Sequence, residues 1–341
     1  MKFGPVPTSE TVGAVLAHSL YVLSGETGSS YRIAKGTVLT NAHINDLIAD
    51  QQTNIVVARL EQGDIEEDEA ATRLAAAIAP NSEQLGIRIS AAGAGRVNLY
   101  AINSGVVVID EAAVMALNTV DPMITLSTVP QLYRADNNGM IATIKIIAYS
   151  VPEALLSQAE ILGANTIRVA PPQYRRATLI ETQVCEELPS IKGCDAMRGR
   201  LDRFGVTLLD RTVVSHSEAA ITTALAQADG DFILLLTASA TSDPMDVGPQ
   251  ALRKAGGEVT GFGMPVDPGN LLFFGRLGAK PVIGLPGCAR SPALNGADWV
   301  LERLMCGISV SQGDIAAMGV GGLLKEIPTR PQPRAKILPK T

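Results

Sequence analysis

The chain has 341 residues, 46% of them hydrophobic and 18% charged, which suits two or three packed domains and excludes a wholly disordered chain. Aromatics are only 4% and the net charge is −6, so neither a base-stacking platform nor a polyanion-binding surface is expected, and nucleic acid is excluded as a partner. No stretch approaches the ~18 apolar residues that a membrane helix requires, which argues against a membrane partner.

Residues 1–65 read as a small β-rich module. In "YRIAKGTVLTNAHINDLI" a strand, a Lys-Gly turn and a second strand lead into a short helix capped by Thr40 or Asn41, and "NIVVARL" resumes as a strand. Residues 66–174 read as a mixed α/β linking module. The run "EQGDIEEDEAATRLAAAIA", which starts at Glu61 and crosses into this module, begins a helix whose carboxylates crowd the first turn, where the dipole favours them. That run reads as a solvated helix start, with a metal site as the alternative. Strands follow at "GRVNLYAI", "GVVVID", "MITLSTV" and "MIATIKIIAYSV", with a helix at "DEAAVMALNTV"; the Asn-Gly of "RADNNGMIATIK" signals a hairpin.

From residue 175 to 310 the pattern becomes a regular alternation of apolar strands and amphipathic helices. The strands are "RATLIETQV", "VTLLDRTVV", "DFILLLTA", "EVTGFGMPV", "LLFFGRL" and "KPVIGL". The helices are "IKGCDAMRGRLDRFG", ended by Gly205, "SHSEAAITTALAQA", capped by Ser215 or Ser217, "DVGPQALRKAG" and "NGADWVLERLMCG". This alternation predicts an α/β domain with an open, mostly parallel sheet and flanking helices. Residues 311–341 form a C-terminal extension whose last stretch, "IPTRPQPRAKILPKT", has four prolines, four basic residues and no acid, and reads as extended and mobile.

Ligands of open α/β sheets bind outside the carboxyl ends of the strands, and three loops there stand out. In "LLLTASATSDPMDVGP" the residues from Thr237 to Asp243 are small, hydroxylated or acidic and precede a helix. Backbone N–H groups of Thr237, Ala238, Ser239, Thr241 and Ser242 would take an oxyanion, and Asp243 and Asp246 would bridge it to a divalent metal; alternatively Asp246 only caps the helix. The second loop, Asp267-Pro268-Gly269-Asn270, has the composition of a type I or II turn. In the third, "LPGCARSP", Pro286 and Gly287 end a strand, Arg290 suits a phosphate and Ser291 offers a hydroxyl. The four cysteines have no CxxC spacing and no neighbouring histidine, which argues against a zinc site or disulfide framework. With no apolar signal core in "MKFGPVPTSE", the expectation is a cytoplasmic protein. His18, His43 and His216 are isolated in sequence and read as surface or capping residues.

The C-terminal half resembles the molybdopterin-binding domain of the MoeA and MogA type, shared by molybdopterin adenylyltransferases and molybdenumtransferases. "TASATSDPMDVGPQAL" stands where the family has a Gly-Gly loop followed by Asp-Val-x-Pro, with Asp246, Val247 and Pro249 matching. "DPGNLLFFGRLG" resembles a later Pro-Gly pattern, and Leu285, Pro286 and Gly287 resemble the start of Leu-Pro-Gly-Asn-Pro-x-Ser. "YRIAKGTVLTNAHINDLI" resembles the small β module of molybdenumtransferases. The departures are Ala238-Ser239 for Gly-Gly, Asp267 and Asn270 for two lysines, and Cys288-Ala-Arg290 for Asn-Pro. The resemblance implies molybdopterin or its nucleotide adduct as ligand, with Mg²⁺ on Asp243 and Asp246 and molybdate as a co-substrate. It implies a role in molybdenum cofactor biosynthesis, either as a transferase releasing AMP or as a carrier for a client molybdoenzyme. A homo-oligomer is the expected assembly.

Overall fold

The computed structural model describes residues 1–25 and 27–326, so the reading of "IPTRPQPRAKILPKT" lies outside the described residues. The chain forms two compact units, one of residues 1–102 with 107–169 and the other of 103–106 with the chain from Ala170 onward. The first unit takes in both the 1–65 module and most of the 66–174 module.

In the first unit, the strand Asn54–Arg59 lies between Lys2–Pro7 and Val15–Leu16, antiparallel to both. The helix Asn41–Ala49 starts at Thr40, whose side chain accepts from the His43 backbone while Thr40 N–H donates to His43 Nδ1, so this histidine caps a helix. These elements enclose a core of Leu16, Val22, Ile33, Leu47, Ile55 and Val57. A larger core forms where the helix Glu67–Ile78 meets the sheet Ile124–Thr128, Met140–Ile146, Arg96–Ala101 and Ile87–Ile89. Its buried residues, Ala70, Ala71, Leu74, Ala75 and Ile78, recur at helical spacing and so share one face. The acidic run begins this helix as expected: Glu66 caps it, and Glu67, Asp68 and Glu69 fill its first turn.

The Asn-Gly signal at 138–139 is a correction. A turn does form there, with Gly139 N–H donating to Asp136 C=O and Asn138 at φ 58°. Its flanking strands, Arg134–Ala135 and Met140–Ile146, belong to different sheets, because Asn138 N–H is drawn to Ala101 C=O and the chain changes layers.

The second unit is a seven-stranded sheet with helices on both faces. In chain order its elements are β1 (Arg176–Gln183), α1 (Lys192–Asp202), β2 (Thr207–Leu208), β3 (Thr212–Ser215), α2 (Glu218–Ala226) and β4 (Phe232–Leu236). There follow α3 (Val247–Lys254), β5 (Glu258–Phe262), β6 (Phe273–Leu277), β7 (Lys280–Leu285), α4 (Gly296–Met305) and α5 (Gln312–Ala317). "VTLLDRTVV", read as one strand, is two. β2 pairs with Arg176 and Ala177, β3 with residues from Ile180 to Gln183, and the chain between them turns out so that Arg211 reaches Glu181.

The sheet order is β2-β1-β4-β7-β6-β5, with β3 also on β1. Pairings of β1 with β2, β3 and β4, and of β4 with β7, are parallel; β6 and β5 are antiparallel additions. β4 reads Phe-Ile-Leu-Leu-Leu and every residue is buried, as a central parallel strand requires. α2 and α3 cover the face of Ile180, Ile233 and Leu235. Strand alternation sends Glu181 and Leu236 to the opposite face, where Gly193 of α1 packs close to both. After β1 the chain moves outward to β2; after β4 it moves to the other edge. The topological switch point therefore lies between the carboxyl ends of β1 and β4.

β7 packs tightly at Gly284, where a Cβ would overlap the buried ring of Phe273. Gly284→Ala should therefore cost about 1–3 kcal/mol by overpacking. That exceeds the gain of about 0.4–1 kcal/mol from a stiffer unfolded chain. Urea unfolding of the variant reads the difference; a stabilised protein would contradict the packing.

Candidate functional site

At the switch point a short hydrogen bond joins the two strands' ends: Ala238 N–H donates to Thr182 Oγ1 at 2.6 Å. Thr182 Oγ1 also lies 3.0 Å from His216 Nδ1, at the end of β3. The N–H of Ala238, one of the expected oxyanion donors, is thus already used. Neither Thr182 nor His216 was singled out from sequence as a site residue. The usable signal was the polar Glu-Thr-Gln that ends an otherwise apolar first strand.

Beyond Ala238 the loop accounts for most of its own polar groups. Thr237 Oγ1 donates to Ser239 C=O at 2.7 Å and lies 3.4 Å from Thr241 Oγ1. Asp246 caps α3, its Oδ1 accepting from Val247 N–H at 2.7 Å, and its Oδ2 accepts from Ser242 N–H at 3.1 Å. Asp243 Oδ1 accepts from Met245 N–H at 2.7 Å. The expected donor at Ser242 is therefore also engaged. Among the described residues, the backbone N–H groups of Ser239, Ala240 and Thr241 donate to nothing. Ser239 and Ala240 are exposed and Thr241 is buried. Adjacent backbone donors without partners, a few residues before a helix N-terminus, are a group that an oxyanion could use.

The turn after β7 reaches this loop. Gly287–Arg290 is one 3₁₀ turn, from which Arg290 Nη2 donates to Thr237 C=O at 2.9 Å. The guanidinium lies back over Gly287, where a Cβ would sit 3.7 Å from Nη1. Ser291 Oγ accepts from Ala293 N–H at 3.3 Å, so this hydroxyl shapes the turn. Cys288 is exposed, and its Sγ lies 3.0 Å from Asn295 Nδ2.

Arg200 of α1 supports this turn from behind. Its Nε donates to Asp298 Oδ1, Nη1 to Ala196 C=O at 3.3 Å and Ala289 C=O at 3.0 Å, and Nη2 to Ser291 C=O at 3.0 Å and Ala293 C=O at 3.3 Å. All five guanidinium donors are placed. Asp298 in turn accepts from Asn295 N–H at 2.8 Å, closing the cap of α4. Arg200 looked like one more charge on an amphipathic helix, and only its tertiary partners distinguish it.

The second loop is not joined to the other two by any hydrogen bond among the described residues. The Asp267–Pro268 peptide is cis, and Gly269 at φ 147° fits the third position of neither a type I nor a type II turn. The Asp267 carboxylate pairs with Lys325 at 2.7 Å, and Asn270 Nδ2 donates to Met264 C=O at 3.1 Å. Pro268 C=O accepts from Gly296 N–H at 2.8 Å, and a Cβ on Gly269 would lie 2.9 Å from Gly296 Cα. Contacts of this loop run instead to the start of α4 and to residues 322–325.

Among the described residues no group of three or more His, Cys, Asp or Glu could hold a metal ion, and no helix is long and apolar enough to cross a membrane. All four cysteines are free, two exposed (Cys185, Cys288) and two buried (Cys194, Cys306).

No family model matches the chain, and no curated protein does. Among solved structures the chain is similar to the molybdopterin biosynthesis MoeA protein from Pyrococcus horikoshii. The identity there is 14% over 93% of this chain and 77% of that chain, with a TM-score of 0.32. It is also similar to a molybdenum cofactor biosynthesis protein from Pyrococcus furiosus, at 11% identity over 91% of this chain and 66% of that chain, with a TM-score of 0.25.

Two measurements check this geometry. Arg200→Met leaves Asp298 without its cation and three turn carbonyls without a donor, so unfolding free energy should fall by about 3–5 kcal/mol. A loss below about 1 kcal/mol in urea would show that the turn holds itself. Thiol titration of the native protein at pH 8 should read Cys185 and Cys288 and leave Cys194 and Cys306 unreacted until unfolding. Burial pushes the Cys306 thiol from 9.0 up to about 12. That thiol's contribution to stability is therefore complete below about pH 9 and is lost as pH rises towards 12.

Proposed function

We propose that the second unit binds molybdopterin, or its nucleotide adduct, at the carboxyl ends of β1, β4 and β7, and that the protein acts in molybdenum cofactor biosynthesis. The carrying observation is the set of three partner-free N–H groups at Ser239, Ala240 and Thr241, with Arg290 held beside them on Thr237. They lie at the switch point, where doubly wound sheets take phosphorylated ligands. The resemblance of "TASATSDPMDVGPQAL" and "LPGCARSP" to the pterin-binding loops of the MoeA and MogA type supplies the ligand class.

Mg²⁺ fits the residues present only as an ion completed by its substrate. Magnesium is commonly held by one or two carboxylates together with substrate phosphates and water. Asp243 Oδ2 accepts no hydrogen bond, and Asp246 carries one backbone bond on each oxygen, leaving lone pairs on both. Asp243 and Asp246 would hold the ion, and its chemistry would be to neutralise phosphate charge. Ser239, Ala240 and Thr241 would donate to an oxyanion, and Arg290 would face it from the third loop.

On the enzyme reading, molybdate is transferred onto adenylylated molybdopterin and the phosphoanhydride bond to AMP is cleaved, an oxygen of molybdate or of water completing the phosphate from which the bridge is lost, with the protein orienting the anions. A carrier reading is favoured by one particular feature. Where the family pattern has lysines, Asp267 is neutralised by Lys325 and Asn270 is tied to Met264, so neither supplies a cation for a growing negative charge.

The reading is tested first by thermal shift. Molybdopterin at 100 times its dissociation constant should add about 2.7 kcal/mol to the native state. A saturating titration without any shift would falsify the ligand assignment. Asp246→Asn then addresses the metal. It forfeits one of two backbone bonds, costing about 1 kcal/mol whatever the function. If Asp246 holds Mg²⁺, it should also abolish Mg²⁺-dependent AMP release while pterin binding persists. Release at the native rate would remove the metal role. Absence of AMP release from the native protein, with pterin bound, would leave the carrier.

A further inference from the structure

Glu181, at the carboxyl end of β1, is wholly buried, with no exposed area. A buried carboxylate is ordinarily paired through both oxygens. Here Oε2 takes Arg211 Nη1 at 3.1 Å, while Oε1 accepts no hydrogen bond. Arg290 Nη2 stands 3.8 Å from Oε1, beyond hydrogen-bond reach, and makes its bond to Thr237 C=O. The first turn of α1 presses on both partners. A Cβ on Gly193 would lie 3.3 Å from Glu181 Oε1 and 3.3 Å from Arg290 Cγ. Glu181 therefore acts on Arg290 through charge alone, and its orientation is set by Thr237.

We infer that Glu181 is a specificity-determining residue that makes the site discriminate against dianionic phosphate monoesters. The inference rests on the reading that phosphate groups bind beside Arg290. Arg200 is matched by Asp298, and Arg211 and Arg290 share the one carboxylate of Glu181, which leaves one net positive charge among these five groups; Asp243 and Asp246 are matched by the Mg²⁺ they would hold. A phosphate carrying a single charge, as in a diester or a pyrophosphate linkage, is balanced there. A terminal monoester brings a second negative charge towards a carboxylate fixed behind the guanidinium. Coulomb repulsion scales with ligand charge, so that carboxylate opposes the monoester about twice as strongly as the diester. Other N–H groups of Arg290 donate to none of the described residues, so they remain for the ligand.

The test uses two probes that differ by one methyl group and one charge: AMP and its 5′-phosphate methyl ester, titrated calorimetrically at pH 8 into the full chain. Glu181→Gln keeps an acceptor for Arg211 and removes the charge. Affinity for AMP should rise about tenfold and affinity for the methyl ester about threefold, moving the ratio of the two about threefold towards AMP. Both probes meet the same preparation, so partial unfolding cancels in the ratio. An unmoved ratio, with both probes binding, overturns the inference and leaves the anion site standing. Failure of both probes to bind wild type and variant alike overturns the anion site and the inference with it.

Discussion

One guanidinium holds the turn on which the candidate site depends. Arg200 spends all five donors on Asp298 and on carbonyls of Ala196, Ala289, Ser291 and Ala293. The last three of those carbonyls belong to a turn that leaves the sheet and has no strand to pair with, so without Arg200 they would be desolvated and unbonded. The same contact joins α1 to α4 and fixes where Arg290 starts. Arg290 can then reach Thr237 C=O, and the turn after β7 meets the loop after β4.

The loop after β4 is held by a different economy. Its carboxylates do backbone work: Asp246 accepts from Val247 and Ser242, and Asp243 accepts from Met245. Thr182 takes the Ala238 N–H from across the switch point. Each bond removes a donor from the pool a ligand could use, and what survives is the run from Ser239 to Thr241. Small side chains leave Ser239 and Ala240 exposed, which matters more here than the glycine pair at 238–239, since Ala238 and Ser239 are not at positive φ.

Charge is confined by burial. Glu181 stands between Arg211 and Arg290, and Arg200 is neutralised by Asp298, so the positive character of the site is a small residue of larger opposing charges. Asp267 and Asn270 add no cation to it and are engaged by Lys325 and Met264 in a loop bonded elsewhere.

The alternation of apolar strands and amphipathic helices from residue 175 onward was legible without coordinates. β4 is continuous Phe-Ile-Leu-Leu-Leu, α2 begins at a serine, and Gly205 follows α1 at φ 65°. Such signals are local, set by burial periodicity and capping within a few residues. The loops after β4 and β7 were also visible, because strand ends and turn residues mark them. Tertiary structure alone decided what the loops do with their polar atoms. It took Ala238 and Ser242 out of the donor set, separated Asp267–Asn270 from the other loops, and placed Thr182, Glu181, Arg200 and Arg211 where the chain had shown only ordinary polar residues. It also split "VTLLDRTVV" and turned the Asn-Gly signal into a passage between sheets. Each outcome depends on a partner far away in sequence, 98 positions away for Arg200 and Asp298, and hydrogen bonds between distant residues leave no periodicity to read.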